Sequence, residues 1–137
     1  MKDVFCKIID GEIPCTKVYE DDDVLAILDI SQVTKGHTLV ISKKHYPNFL
    51  ATPSDEMHKV MDVAQRIGQA MIGEIGAEGV NILTNINEVA GQSVMHFHVH
   101  VIPRYHSLEG FQIEMKSQDI SSIDLPRLAR QISDNIK

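Results

Sequence analysis

The chain has no long hydrophobic run: its apolar stretches are short and broken by charge, which excludes a membrane-spanning helix. The N-terminus, MKDVFCKIIDGEIP, lacks the apolar core and small-residue cleavage site of a secretory signal, so a cytoplasmic protein is expected. Cysteine is scarce as well. Cys6 and Cys15 are the two in 137 residues, and both are expected to be free thiols, since nothing points to an oxidising compartment and a core of this size needs no covalent staple. Basic residues are outnumbered, 13 against 19 acidic, for a net charge of -6. Nucleic acid would therefore find no basic stripe to follow, whereas a small anion needs only a few local donors. Repeats, low-complexity tracts and linkers are absent too, and an ordinary balance of 43% apolar and 23% charged residues suits one domain over residues 1–137.

What is present reads first as strands. KVYE (17–20) and VLAILD (24–29) flank the acidic turn Asp21-Asp22-Asp23 as a hairpin, and GHTLVIS (36–42) follows as a third strand. A helix is predicted over 53–75, with Thr52 as N-cap, Pro53 in the first turn, and an apolar face of Met57, Val60, Met61, Ala64, Ile67, Met71, Ile72 and Ile75. GVNILTNI (79–86) and VMHFHVHVIP (94–103) read as the fourth and fifth strands, and a last helix over 124–136 opens near Asp124 and Pro126. These elements describe an α+β domain, a mainly antiparallel five-stranded sheet with one long helix on one face and a short C-terminal helix. The other face is left for water, a ligand or a partner.

The fifth strand carries histidine at 96, 98 and 100. At the chain's own frequency of 7 in 137, two further specified positions are both His with a chance of about 0.3%, so accident is a poor explanation. Strand alternation sends Met95, Phe97, Val99 and Val101 to the core and His96, His98 and His100 to the opposite face, spaced about 6.6 Å apart. Such a row can share a zinc ion, supply an imidazole nucleophile, or form a plain solvated face. Just upstream, Gly91-Gln92-Ser93 is a glycine turn entering a strand, where backbone N–H groups, a hydroxyl and an amide can converge on an anion. That neighbourhood favours phosphoryl chemistry, in which the protein mainly positions groups and neutralises charge.

The segment HFHVHVI (96–102) has the alternating His-X-His-X-His-X-X pattern, with X apolar, of the histidine-triad family, and resembles it closely. Residues 5–45 (FCKIIDGEIPCTKVYEDDDVLAILDISQVTKGHTLVISKKH) resemble the N-terminal half of the Hint/Hit branch, and AGQSVMHFHVHVIPRY (90–105) resembles its C-terminal core. The resemblance implies a HIT-like fold and a purine nucleotide hydrolase or transferase acting at an α-phosphate, of the nucleoside phosphoramidate or dinucleoside polyphosphate type. It makes His98 the nucleophile, His96, His100 and His37 its companions, and Asn85, Gln92 and Ser93 the phosphate and leaving-group contacts. It places the ribose on Asp29 and the base against Val4, Phe5, Ile8, Ile27 and Leu39. It implies a homodimer and a reaction that needs no cofactor.

Some bacterial members resemble zinc proteins that use a Cys-X-X-Cys pair and two histidines. Here Asp3 stands at the first Cys position, which leaves Cys6, His45 and His96 as candidate ligands. The alternative to an enzyme is a non-catalytic nucleotide or zinc sensor on the same fold.

Overall fold

The structure, a computed structural model, describes residues 2–106 and 109–137. Helix α1 (Val4–Ile9) opens the chain, capped by Asp3, whose side chain accepts the Cys6 N–H. Strands β1 (Lys17–Glu20) and β2 (Val24–Leu28) form the expected hairpin. Its acidic turn is locked by Asp21, which accepts the N–H groups of Asp23 and Val24 at 2.8 Å each, the turn chemistry for which Asp is favoured. Then come β3 (Thr38–Ser42), α2 (Ser54–Glu74), β4 (Gly79–Leu83), β5 (His98–Arg104) and α3 (Leu125–Ser133).

The five strands make one antiparallel sheet in the order β1-β2-β3-β5-β4. Partners across a ladder share a face, so the register assigns the faces. Ala26, Val40, Val99 and Val101 point to α2 and meet Val60, Val63, Ala64, Ile67 and Met71 there. On the opposite face Ile27 pairs with Leu39, Leu39 with His100, and Ile41 with His98. That face is dry at one end, where Phe5 packs with Leu25, Ile27, Leu39 and Ile41. Burying such aliphatic side chains stabilises by about 1.5–3 kcal/mol each.

Several expectations need correcting. Thr52 is not the cap of α2: Pro53 occupies that position, with no side-chain cap bond, and Thr52 instead donates its hydroxyl to the Asn48 carbonyl. Ile72 and Ile75 extend the apolar period of α2 but lie 55% and 51% exposed, Ile75 lining a groove beside the helix, while Val63 takes a core place. The fourth strand stops at Leu83 and the fifth begins only at His98. Between them Asn87 (φ 71°) and Gly91 (φ 100°) turn the chain, and the Phe97 N–H is given to Tyr46 instead of a ladder. Met95 accordingly sits in this bend, 39% exposed, and not in the core. The last helix ends at Ser133, and Asp124 caps it by accepting the Arg127 N–H.

Candidate functional site

β5 enters the sheet between β3 and β4, so its first residues lie at the centre of one face. His98 is part-buried there, and its Nδ1 lies 2.7 Å from the carbonyl oxygen of His96. A carbonyl only accepts, so Nδ1 carries the proton and the lone pair belongs to Nε2. Thr84 fixes the strand start by donating its hydroxyl to the His98 carbonyl at 2.7 Å. The Phe5 ring stands edge-on to His98, centroids 4.8 Å apart, and to His96 at 5.8 Å.

His37 reaches the same face from the end of the β2–β3 connection. Its Nε2 lies 2.9 Å from His100 Nδ1 and 3.7 Å from Asp29 Oδ2. The connection turns at Gly36, φ 106°, where an added Cβ would sit 3.1 Å from Ile75 Cδ1 and 3.2 Å from Pro103 Cγ. Gln32 spans it, donating to the Asp29 and His37 carbonyls and accepting the Gly36 N–H. The surroundings of all three imidazoles favour the neutral form. Burial drives the pKa of His100 down to about 4, and neighbouring His98 and His37 add to the effect. Burial also lowers His98 and His37, against the opposing pull of the His96 carbonyl on the one and of Asp29 on the other.

A cavity of about 420 Å³ opens over these groups. Val4, Phe5, Ile8, Ile27 and Leu39 wall it, and Asp29, Ser93, His98 and His100 supply its polar functions. Asp29 accepts the Ser31 N–H at 2.8 Å through Oδ1. Ile13, Pro14 and Cys15 add to the wall, unsignalled by any periodicity. A larger groove of about 920 Å³ runs beside the C-terminal half of α2, but no histidine lines it.

Gln92 and Asn85, like His37 and His96, stand apart from the cavity lining. The buried Gln92 commits its amide to the backbone, donating to the Pro47 and Val94 carbonyls and accepting the Asn87 N–H. That makes it a latch on the 87–94 loop. Asn85 donates to the Gly91 carbonyl at 3.4 Å and props the same turn.

His96 is fully buried on the far side of Phe5. Its Nε2 gives a proton to the Ser42 carbonyl at 2.6 Å, while Nδ1 faces Asp3 Oδ2 at 3.0 Å and Cys6 Sγ at 3.7 Å. His45 Nε2 lies 3.2 Å from the same Asp3 oxygen and 2.9 Å from the Met95 carbonyl. An imidazole with acceptors at both nitrogens needs a second proton or a cation between it and the carboxylate. Burial raises the Asp3 carboxyl, but the Cys6 N–H and the histidine overcome it and leave the group below its ordinary range. Both cysteines are free.

Comparison with known proteins gives a family match, two relatives and two solved structures. The HIT domain family model matches residues 10–107. "Protein hit" of Bacillus subtilis is 46% identical over 132 residues, 95% of this chain and 91% of that protein; an adenosine 5'-monophosphoramidase of Schizosaccharomyces pombe is 35% identical over the full length of both. Among solved structures, a HIT family protein from Bacillus anthracis superposes with TM-score 0.90 at 46% identity, covering 98% of this chain and 96% of the other. A zinc-bound histidine triad family protein from Mycobacterium smegmatis does so with TM-score 0.75 at 35% identity, covering 97% and 96%.

Proposed function

This chain belongs to the HIT family, and from that premise we propose that it hydrolyses or transfers nucleotides at the α-phosphate of a purine nucleotide conjugate, through a covalent nucleotidyl-His98 intermediate. One observation carries the reading: the His98 proton is fixed on Nδ1 by the His96 carbonyl, so the Nε2 lone pair is free at the head of a nucleotide-sized cavity. Nε2 forms a bond to phosphorus as the bond to the leaving group breaks and that group takes up a proton; water then attacks phosphorus, and the electron pair of the broken phosphorus–nitrogen bond returns to Nε2. Asp29 takes the ribose hydroxyls, the apolar wall takes the base, and the Ser93 hydroxyl faces the phosphate. His100 and His37 form a linked pair behind the nucleophile.

Incubation with adenosine 5'-phosphoramidate is expected to release AMP, with a nucleotidyl group on His98 in a non-acidic quench read by mass spectrometry. An adduct elsewhere, or brisk release with none, overturns the reading. AMP binding without turnover points instead to the sensor. Because burial lowers the His98 pKa, the acid limb of kcat/KM is expected to have its midpoint below 6.5, the value of a free imidazole. The sign is the same for stability. Between 6.5 and about 4 the unfolded chain binds protons that the folded cavity refuses, so stability falls as pH drops through that window.

Asp3, Cys6 and His96 form a donor set that fits zinc, with His45 Nε2 3.2 Å from Asp3 as a fourth donor, and His96 Nδ1 already faces both the Asp3 carboxylate and the Cys6 sulfur. Bound there, zinc would tie α1 to the entrance of β5; the chemistry at His98 needs no metal. Asp3→Cys is expected to retain more zinc than the wild type after dialysis against a chelator, since a second soft thiolate replaces a carboxylate. Equal retention would show that Asp3 is no ligand.

A homodimer belongs to the same proposal. α3 is too short to be stable alone in water, yet Leu125, Leu128 and Ile132 are all exposed along it, and β4 is an open sheet edge with Ile82 exposed. Sedimentation is expected to give twice the chain mass of 15.3 kDa; a monomer at micromolar concentration contradicts it.

A further inference from the structure

We propose that Asp29, His37 and His100 form a binding site for one divalent transition-metal ion on the cavity floor, separate from the cluster at Asp3. Each of the three offers a ligand atom, and the three atoms lie within 4.8 Å of one another. Ligands at about 2.0–2.1 Å from a metal are separated by about 2.9 Å at right angles and about 3.4 Å in a tetrahedron. The His37–His100 separation is 2.9 Å and the Asp29–His37 separation 3.7 Å, so two of the three edges need shifts of a few tenths of an ångström at most. Two imidazoles and one carboxylate on one side of an ion, with open positions opposite, are a donor set suited to zinc, cobalt or iron(II) rather than magnesium or calcium.

The two ring nitrogens now meet over a single shared proton. An ion replaces that proton as the bridge; the proton, held on His37 Nε2 because Nδ1 accepts the Val33 N–H at 3.5 Å, moves to Nδ1 as that long bond gives way, so neither imidazole changes charge. Asp29 has an oxygen to spare, because the Ser31 N–H is taken by Oδ1 and Oδ2 faces His37. Gln32 holds the backbone of Asp29 and His37 in place from outside, so the donors are positioned before any ion arrives. An ion there and a ribose on Asp29 exclude each other, which makes the cavity sensitive to free transition metal. That consequence, unlike the binding itself, rests on the ribose assignment.

The test uses the full chain carrying Cys6→Ser and His45→Ala, which removes two donors of the other cluster. Titration with zinc by calorimetry, and with cobalt by its visible absorption, is expected to show one bound equivalent. Asp29→Asn added to that background is expected to weaken it at least tenfold, while the asparagine oxygen keeps the Ser31 bond and the circular dichroism is unchanged. His37→Gln is expected to do the same. No binding in the doubly substituted chain, or binding that Asp29→Asn and His37→Gln both leave unaltered, overturns the proposal.

Discussion

His98→Ala is expected to lower kcat for release of AMP from adenosine 5'-phosphoramidate by about 10⁴-fold or more, the scale on which removal of a nucleophile is felt. His98→Asn is the sharper comparison. Its side-chain amide can still donate to the His96 carbonyl that now holds His98 Nδ1, yet it offers no ring nitrogen to phosphorus. Both variants are expected to bind AMP within a few-fold of the wild type, because the cavity walls from α1, β2 and β3 do not depend on the ring. Turnover that survives both substitutions would remove His98 from the chemistry. A parallel loss of AMP binding would show that the ring is a wall rather than a reagent.

Phe97→Ala is expected to cost about 3–5 kcal/mol of stability, read in urea as a lower midpoint with unchanged slope. Phe97 is 1% exposed and packs edge-on against Phe49, with centroids 5.9 Å apart. It also holds the bend before β5: its N–H goes to the Tyr46 carbonyl at 2.7 Å and its carbonyl accepts the Ser42 N–H. These main-chain bonds survive in the alanine variant, so the loss of stability reports the packing of the ring. Phe97→Leu, which keeps most of the volume, should cost less than half as much. A loss below 1 kcal/mol for Phe97→Ala would mean that the site collapses around the missing ring.

The strand and helix pattern was legible because period and cap chemistry are local. The Asp21 turn, the amphipathic run of α2 and the Asp124 cap each announce themselves within a few residues. α1 went unread although Asp3 precedes an apolar set, Val4, Phe5, Ile8 and Ile9, at helical spacing and Gly11 (φ 81°) follows it. Six residues are too few for a periodicity count to register. The histidine row was legible as a face: His96, like His98, lies against Phe5 on the side away from α2, although it precedes β5 and is displaced from the cavity into full burial. Its displacement depends on Tyr46 and Ser42, some fifty residues away, and long-range pairing of that kind leaves no local mark. Gln92 has the composition of a phosphate donor, and only the contacts of its amide reveal a latch. Gln32 is the converse case, an exposed polar residue in a loop whose bonding is visible only once the connection is folded.

β5 serves two environments with consecutive residues, the aliphatic layer under α2 through Val99 and Val101 and the polar cavity through His98 and His100. Its spacing therefore works like a reading frame. Deleting or inserting one amino acid between 98 and 101 would exchange the two sets, burying an imidazole beneath the helix and presenting valine to the ligand. Point changes along this strand can be graded in size and polarity, but a single-codon length change cannot.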